Sequence, residues 1–173
     1  MKRREQARFI GRLKIRELPK GCELADFCAW WPHLSEKERE RYTVYEMSNI
    51  LTQNGRNQIL TYISLGGGVS TGFASFFSVG TASITSVYPG DTAVQGELYR
   101  SAPNSNTIVG NQIDISTFFG SVQAVGTYTN AGLYGGSTAT ATLGTGTLYT
   151  HTLYSYTKLT GTAITNDYLI TLN

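Results

Sequence analysis

Formal charge is scarce in the second half of this chain of 173 residues. From residue 101 onward the only charged side chains are Asp114, Lys158 and Asp167. The first 20 positions are the opposite, with eight Lys or Arg against two Glu, a net charge of +6. A basic segment suits an acidic surface of nucleic acid or protein. Because no positive stripe, zinc-finger pattern or RNA-recognition motif follows, we expect a protein partner or a solvated arm, and not nucleic acid.

Cysteine and long apolar runs are also scarce. Cys22 and Cys28 are too few for the disulfide framework of a small secreted protein. His33 would make a third zinc ligand, but the spacing fits no common finger and a fourth ligand is missing. We therefore predict free thiols, no metal, no cofactor and a reducing cytoplasm during assembly. No run of 18 apolar residues and no signal-peptide apolar region are present, so we expect neither a membrane span nor secretion.

Residues that could form a catalytic centre are few. His151 could be combined with Asp114 or Asp167 and a serine, but no nucleophile-elbow motif accompanies it. We predict instead a hydrogen-bonded strand histidine and a protein that is not an enzyme.

The isolated acids could in principle pair for glycoside cleavage. Such sparse carboxylates more often cap turns or end strands. We predict that Asp91 is the turn residue after Pro89-Gly90 and that Glu97 and Arg100 form a structural ion pair.

The first 47 residues contain most of the helical signals. Residues 1–20 fit either a partly helical arm or an edge strand, because Leu13 to Arg16 alternate apolar and basic side chains. Residues 22–31 predict a short helix whose Leu24, Phe27, Cys28 and Trp31 share a face, and Ser35 to Glu38 form a capping box that begins another. Trp30 and Trp31 either anchor this arm to the remaining chain, which we favour, or form an interface hot spot.

The remaining chain is rich in Gly, Thr, Ser and Tyr. A helix near residues 54–65 is predicted to begin at Asn54 and to end at the glycines 66–68. Strand-like segments then recur at intervals of roughly ten to fifteen residues, which is typical of an antiparallel sandwich. We therefore predict a mainly β protein: an immunoglobulin-like or jelly-roll-like β-sandwich over residues 48–173, preceded by a basic, partly helical arm over residues 1–47.

An ordered set of motifs in this second part resembles a widespread type of tailed-bacteriophage virion protein. The resemblance covers about two-thirds of the chain. It rests on Leu51-Thr52-Gln53-Asn54-Gly55-Arg56-Asn57, Phe77-Ser78-Val79-Gly80-Thr81, Asp91-Thr92 with Glu97 and Arg100, Thr127-Tyr128-Thr129-Asn130-Ala131-Gly132-Leu133-Tyr134 and Asp167-Tyr168-Leu169-Ile170-Thr171-Leu172. Similar sequences often have Glu where this chain has Asn130.

The resemblance implies a non-enzymatic structural protein of the virion, assembled in the host cytoplasm. It would be a decoration or adaptor subunit that attaches to capsid, neck or tail proteins through its N-terminal arm, and we expect it to be a homo-oligomer. The candidate contact residues are Arg3, Arg4, Arg8, Arg12, Trp30 and Trp31. The alternative is a carbohydrate- or receptor-binding module of a tail fibre, with Tyr134, Tyr149, Tyr154 and Tyr156 as stacking surfaces.

Overall fold

The computed structural model describes residues 9–57 and 74–172. The described part of the chain is mainly β, as predicted, with 48% of its residues in strands and 15% in helices. The strands are β1 (Phe9–Glu17), β2 (Thr43–Leu51), β3 (Phe76–Gly80), β4 (Glu97–Ser101), β5 (Ser105–Val109), β6 (Gln112–Phe119), β7 (Gly126–Gly135), β8 (Thr147–Lys158) and β9 (Ile164–Leu172).

These nine strands form one sheet in the order β4-β3-β7-β8-β2-β1-β9-β6-β5. Every described pair of neighbouring strands is antiparallel. β4 and β5 stand at opposite ends of this order, yet only residues 102–104 separate them along the chain. Since so short a link reaches at most about 13 Å, the two ends of the sheet must approach each other there.

The sheet is therefore curled into a half-barrel. The aromatic rings of the two ends meet inside it: Phe119 of β6 lies 5.1 Å from Tyr99 of β4 and 5.8 Å from Phe77 of β3, between ring centroids. The predicted two-layer sandwich, immunoglobulin-like or jelly-roll-like, is not confirmed, because one curled sheet supplies both sides of the core.

The N-terminal segment has a different place from the one expected. β1 is hydrogen-bonded to β2 on one side and to β9 on the other, so it is an inner strand and not an edge strand. The helices lie between β1 and β2 in the chain, and a separate helical extension is not confirmed. The predicted boundary between residues 47 and 48 falls within β2.

Two short helices cover the outer face of this part of the sheet. α1 (Leu24–Trp30) continues into a 3-10 turn, Trp31–His33, and α2 (Glu36–Arg39) continues into a second one, Glu40–Tyr42. The predicted capping box of α2 is present, with the Ser35 N–H donating to the Glu38 carboxylate at 2.8 Å. In the predicted apolar stripe of α1, only Phe27 and Trp31 are buried. Leu24 and Cys28 are exposed.

The main core lies on the concave face of the sheet. It takes Leu13 and Ile15 from β1, which are fully buried, together with inward residues of β3, β6, β7, β8 and β9. At the start of β7, the Tyr128 hydroxyl donates to the Ala124 carbonyl four residues earlier. A tyrosine that bonds back across a strand connection in this way holds a β-arch in place.

Candidate functional site

The basic N-terminal residues are the predicted attachment site. Arg3, Arg4 and Arg8 lie outside the described residues. Arg12 is exposed and forms an ion pair with Glu46 of β2 at 3.0 Å. Lys14 donates to Glu36 at 2.7 Å and to Glu40 at 2.8 Å. Arg12 and Lys14 of β1 therefore form ion pairs with acids of the same chain.

Arg16 is the most deeply placed of these charges, with a side chain that is 0% exposed. Its guanidinium pairs with Asp167 of β9, donates to Glu36 at 2.7 Å and reaches the Thr43 hydroxyl at 3.1 Å. The register explains the contact, because Arg16 and Asp167 share the outer face of the sheet on adjacent strands. One guanidinium thus joins four elements: its own inner strand β1, the neighbouring strands β2 and β9, and helix α2.

A second buried pair lies beside the first. Arg39 of α2 donates to Asp114 of β6 at 2.5 Å. The pKa of Asp114 is raised to about 7, chiefly by burial and also by the nearby Asp167, against the opposing effects of Arg39 and Arg16. Burial likewise raises the pKa of Asp167, although Arg16 opposes the shift. Together these groups fix the helical segment to the sheet.

Sequence reasoning missed this network. A signal was present: two acids, Asp114 and Asp167, are the only acidic residues after residue 100, and most of the arginines lie before residue 42. Because an isolated charge is seldom buried without a partner, the two could have been matched.

Trp30 and Trp31 belong to a second hydrophobic cluster, where Trp31 is a core residue and Trp30 packs against it. Trp31 is fully buried and stacks 5.4 Å from Phe27, and the guanidinium groups of Arg16 and Arg39 lie 5.6 and 5.4 Å from its ring centroid. Trp30 is half-buried beside it. Trp31 has the position expected of an anchor and offers no surface to a partner.

The helix predicted to begin at Asn54 begins earlier. Residues 53–57 are helical, and its later part, with Ile59, Leu60 and Ile63, lies outside the described residues. The cap is Thr52, whose buried hydroxyl accepts the Gly55 N–H at 3.0 Å and donates to the Leu148 carbonyl at 2.6 Å. A Cβ at Gly55 would overlap the backbone of Tyr149, so this motif brings the helix close to β8. Arg56 and Asn57 are exposed.

Asp91 is the predicted turn residue and also holds His151. Its carboxylate accepts the Tyr88 N–H at 2.8 Å and lies 2.6 Å from Nδ1 of His151. Nε2 of His151 lies 3.1 Å from Oδ1 of Asn130, which is fully buried. The Asn130 amide bonds both the N–H and the carbonyl of Gln95, at 2.8 and 3.0 Å. Both ring nitrogens of His151 are therefore engaged in holding the loop 81–96 on the sheet.

Neither Asp114 nor Asp167 is the acid that pairs with His151, because both lie on strands beyond β1 from β8 and are engaged by arginines. His151 is itself 1% exposed. It is a hydrogen-bonded strand histidine, as predicted.

The Glu97–Arg100 ion pair is present at 2.7 Å and does more than join neighbouring residues. Arg100 donates to the Thr145 carbonyl at 2.7 Å, and Glu97 accepts the Gly144 N–H at 2.6 Å. The pair therefore holds the loop 136–146 against β4.

Three of the four tyrosines named as stacking surfaces are buried. Tyr134 and Tyr149 are each 1% exposed and Tyr154 is 4% exposed, while Tyr156 is half-buried and donates to Glu17. This overturns their proposed role in glycan stacking. The sequence could not show it, because the curled sheet and its covering loops bury residues on both faces.

The described surface has one strand with unusual exposure. Ile108 and Val109 of β5 are 74% and 69% exposed. Among residues 9–57 and 74–172, no cluster of three or more His, Cys, Asp or Glu could hold a metal ion. No helix in those ranges is long and apolar enough to cross a membrane.

Comparison with known proteins adds no relative: no protein family, no curated protein and no solved structure matches this chain.

Proposed function

We propose that this protein is a non-enzymatic structural subunit of a tailed-phage particle. It would attach to capsid, neck or tail proteins through the basic residues that precede β1, as a decoration or adaptor subunit assembled in the host cytoplasm. The resemblance of the motifs between Leu51 and Leu172 supports the class of protein. The single structural observation that supports the mode of attachment is that β1 is an inner strand, paired on both sides.

β1 is paired along its whole length with β9 and along most of its length with β2. Lys2, Arg3, Arg4 and Arg8 lead directly into this strand. A force on that segment would be carried by two rows of backbone hydrogen bonds and by the Arg16 ion pairs. The described basic residues of β1 are neutralised within the fold, so the basic residues before Phe9 are the ones we assign to the partner.

The alternative, a carbohydrate- or receptor-binding module, rested on exposed tyrosines. Because Tyr134, Tyr149 and Tyr154 are buried, no observation favours that function over the assembly role.

The first test is whether the protein is present in purified particles, and in how many copies. We expect a fixed copy number: hundreds for capsid decoration, or a small multiple of three or six for neck, tail or fibre. Absence from washed particles would overturn the proposal.

The second test separates the arm from the body. Reversing Arg3, Arg4 and Arg8 to Glu should abolish incorporation while the purified variant keeps its unfolding temperature. The matched control reverses Lys20, Lys37 and Arg41, which are exposed residues of the body, and changes the net charge equally. Equal loss in both variants would show that total charge, and not the arm, directs attachment.

A further inference from the structure

The two edges of the sheet are built differently. β4, at one edge, carries the Glu97–Arg100 pair, which fastens the loop 136–146 to that strand. β5, at the other edge, consists of Ser105, Asn106, Thr107, Ile108 and Val109, without a charged residue or proline. Charge, proline and covering loops are the usual means by which a sheet edge avoids pairing with another strand. β5 has none of them within the described part of the chain.

β5 is nevertheless a well-formed strand. It pairs with β6 over its full length, from Ser105 opposite Ser116 to Val109 opposite Gln112. The hairpin turns at Gly110-Asn111, and Gly110 has a φ of +60°, which a glycine adopts readily at the first position of a two-residue turn. Its backbone is therefore held extended before any partner arrives.

Exposure along β5 increases away from the link to β4. Ser105 is half-buried, whereas Ile108 and Val109 are 74% and 69% exposed. Adjacent strand residues point to opposite faces, so both faces of the sheet are open at this end of β5. The curled sheet thus approaches closure at residues 102–104, and among the residues that the structure describes none covers Ile108 or Val109 at the far end of β5.

We propose that β5 is a dimerisation strand, which pairs antiparallel with β5 of a second copy across a two-fold axis. In such a contact two identical strands run in opposite directions. A charged residue that lies off the two-fold axis therefore needs an oppositely charged residue at the position that it faces in the same sequence. A neutral sequence of small polar and β-branched residues satisfies this condition without repulsion. When all five residues pair, Thr107 faces Thr107, and Ile108 of each copy faces Asn106 of the other.

A two-fold contact also closes on itself. Each copy contributes only β5 to this contact, so pairing through β5 stops at the dimer and does not continue into a fibre. Pairing between β4 strands would instead have to displace or accommodate the Glu97–Arg100 pair and its loop. These points favour a second copy over an unrelated extended peptide as the occupant of β5.

The test uses the full-length protein in sedimentation equilibrium from about 1 µM to about 100 µM, because so small an interface predicts a roughly micromolar dimer. We expect a monomer–dimer equilibrium that Ile108→Lys weakens by about tenfold or more. The control is Val122→Lys, at a loop residue with 76% exposure, which should leave the equilibrium unchanged. A wild-type chain that stays monomeric, or a dimer that survives Ile108→Lys, would overturn the proposal.

A cross-link tests the geometry. In a Cys28→Ser background, Thr107→Cys should form a reducible dimer under mild oxidation, since the two-fold axis brings the two thiols together. If the chain dimerises but this variant does not cross-link, then β5–β5 pairing in this register is wrong. The inference does not rest on the proposed function, because a protein that dimerises but never enters a particle would overturn only the latter.

Discussion

Charged residues on β1 differ in what they contribute, although they share one face of one strand. Arg12 is 60% exposed at its side chain, whereas Arg16 is fully enclosed with Asp167. Exposed pairs contribute little because water and salt screen them, but breaking a buried pair leaves a charge without a partner. The same substitution at the two positions should therefore have unequal effects.

We predict that Arg16→Met lowers the free energy of unfolding by about 3–5 kcal/mol, because Asp167 loses its partner inside the protein. Arg12→Met should lower it by less than about 1 kcal/mol. Urea unfolding of both variants at neutral pH checks this. Similar losses in the two variants would show that the Arg16–Asp167 pair does not stabilise the fold more than a surface pair.

Asp114 should make stability depend on pH. Burial raises its pKa from 3.8 to about 7, so between these values the folded chain binds more protons than the unfolded chain. The contribution of Asp114 to the free energy of unfolding is therefore present at low pH and is lost as the pH rises toward and through 7. We predict that unfolding free energy decreases between pH 5 and pH 8 and that Asp114→Asn makes this decrease smaller. A variant with the wild-type pH profile would contradict the assignment.

Close approach of a loop to the sheet decides the packing around β3 and β7. The loop 81–96 lies directly on Gly80, where a Cβ would overlap the Gln95 carbonyl oxygen and press on Val94. The same loop is held by Asn130, and by Tyr134, whose hydroxyl accepts the Val94 N–H at 2.6 Å. Loop and sheet therefore form one packed unit.

Gly80→Ala should lower the free energy of unfolding by about 1–3 kcal/mol, because the added methyl group must displace the loop. Amide exchange at Val94 and Gln95 should accelerate in the same variant. Gly90→Ala is the matched control, since a Cβ there has no neighbour within 4 Å. If Gly80→Ala were as stable as Gly90→Ala, the loop would not be packed on the sheet as described.

At the scale of the whole molecule, the first and last described strands lie side by side in the interior of the sheet. β1 pairs with β9 from Phe9 opposite Leu172 to Glu17 opposite Ile164. Since β1 also lies between β9 and β2, removing it would separate the sheet into two unpaired parts. The N-terminal segment is thus part of the folded body from residue 9 onward.

We predict that a chain lacking residues 1–8 unfolds cooperatively, within about 5 °C of the full-length protein. A chain lacking residues 1–17 should show no cooperative transition, because β2 and β9 then expose their inner edges and Ile15 and Leu13 leave the core. Calorimetry and near-UV circular dichroism measure both. A folded fragment of residues 48–173 would contradict this expectation and support the division at residue 47.

Much of the local structure follows from the sequence alone. The capping box at Ser35 and the turn at Asp91 depend on neighbours within a few positions, and both are present. Glu97 and Arg100 belong to this group as well, because they lie three residues apart.

Tertiary structure alone decided which polar and aromatic residues are buried. Arg16 meets an acid 151 positions away, and Tyr134 and Tyr149 are covered by distant segments. The alternation of apolar and basic residues along β1 was compatible with a strand but did not show which strands pair with it. A period of two shows that the two faces of a strand differ, but it does not show which segments cover each face. The order of the strands, and with it the open edge at β5, follows from contacts between residues far apart in the chain.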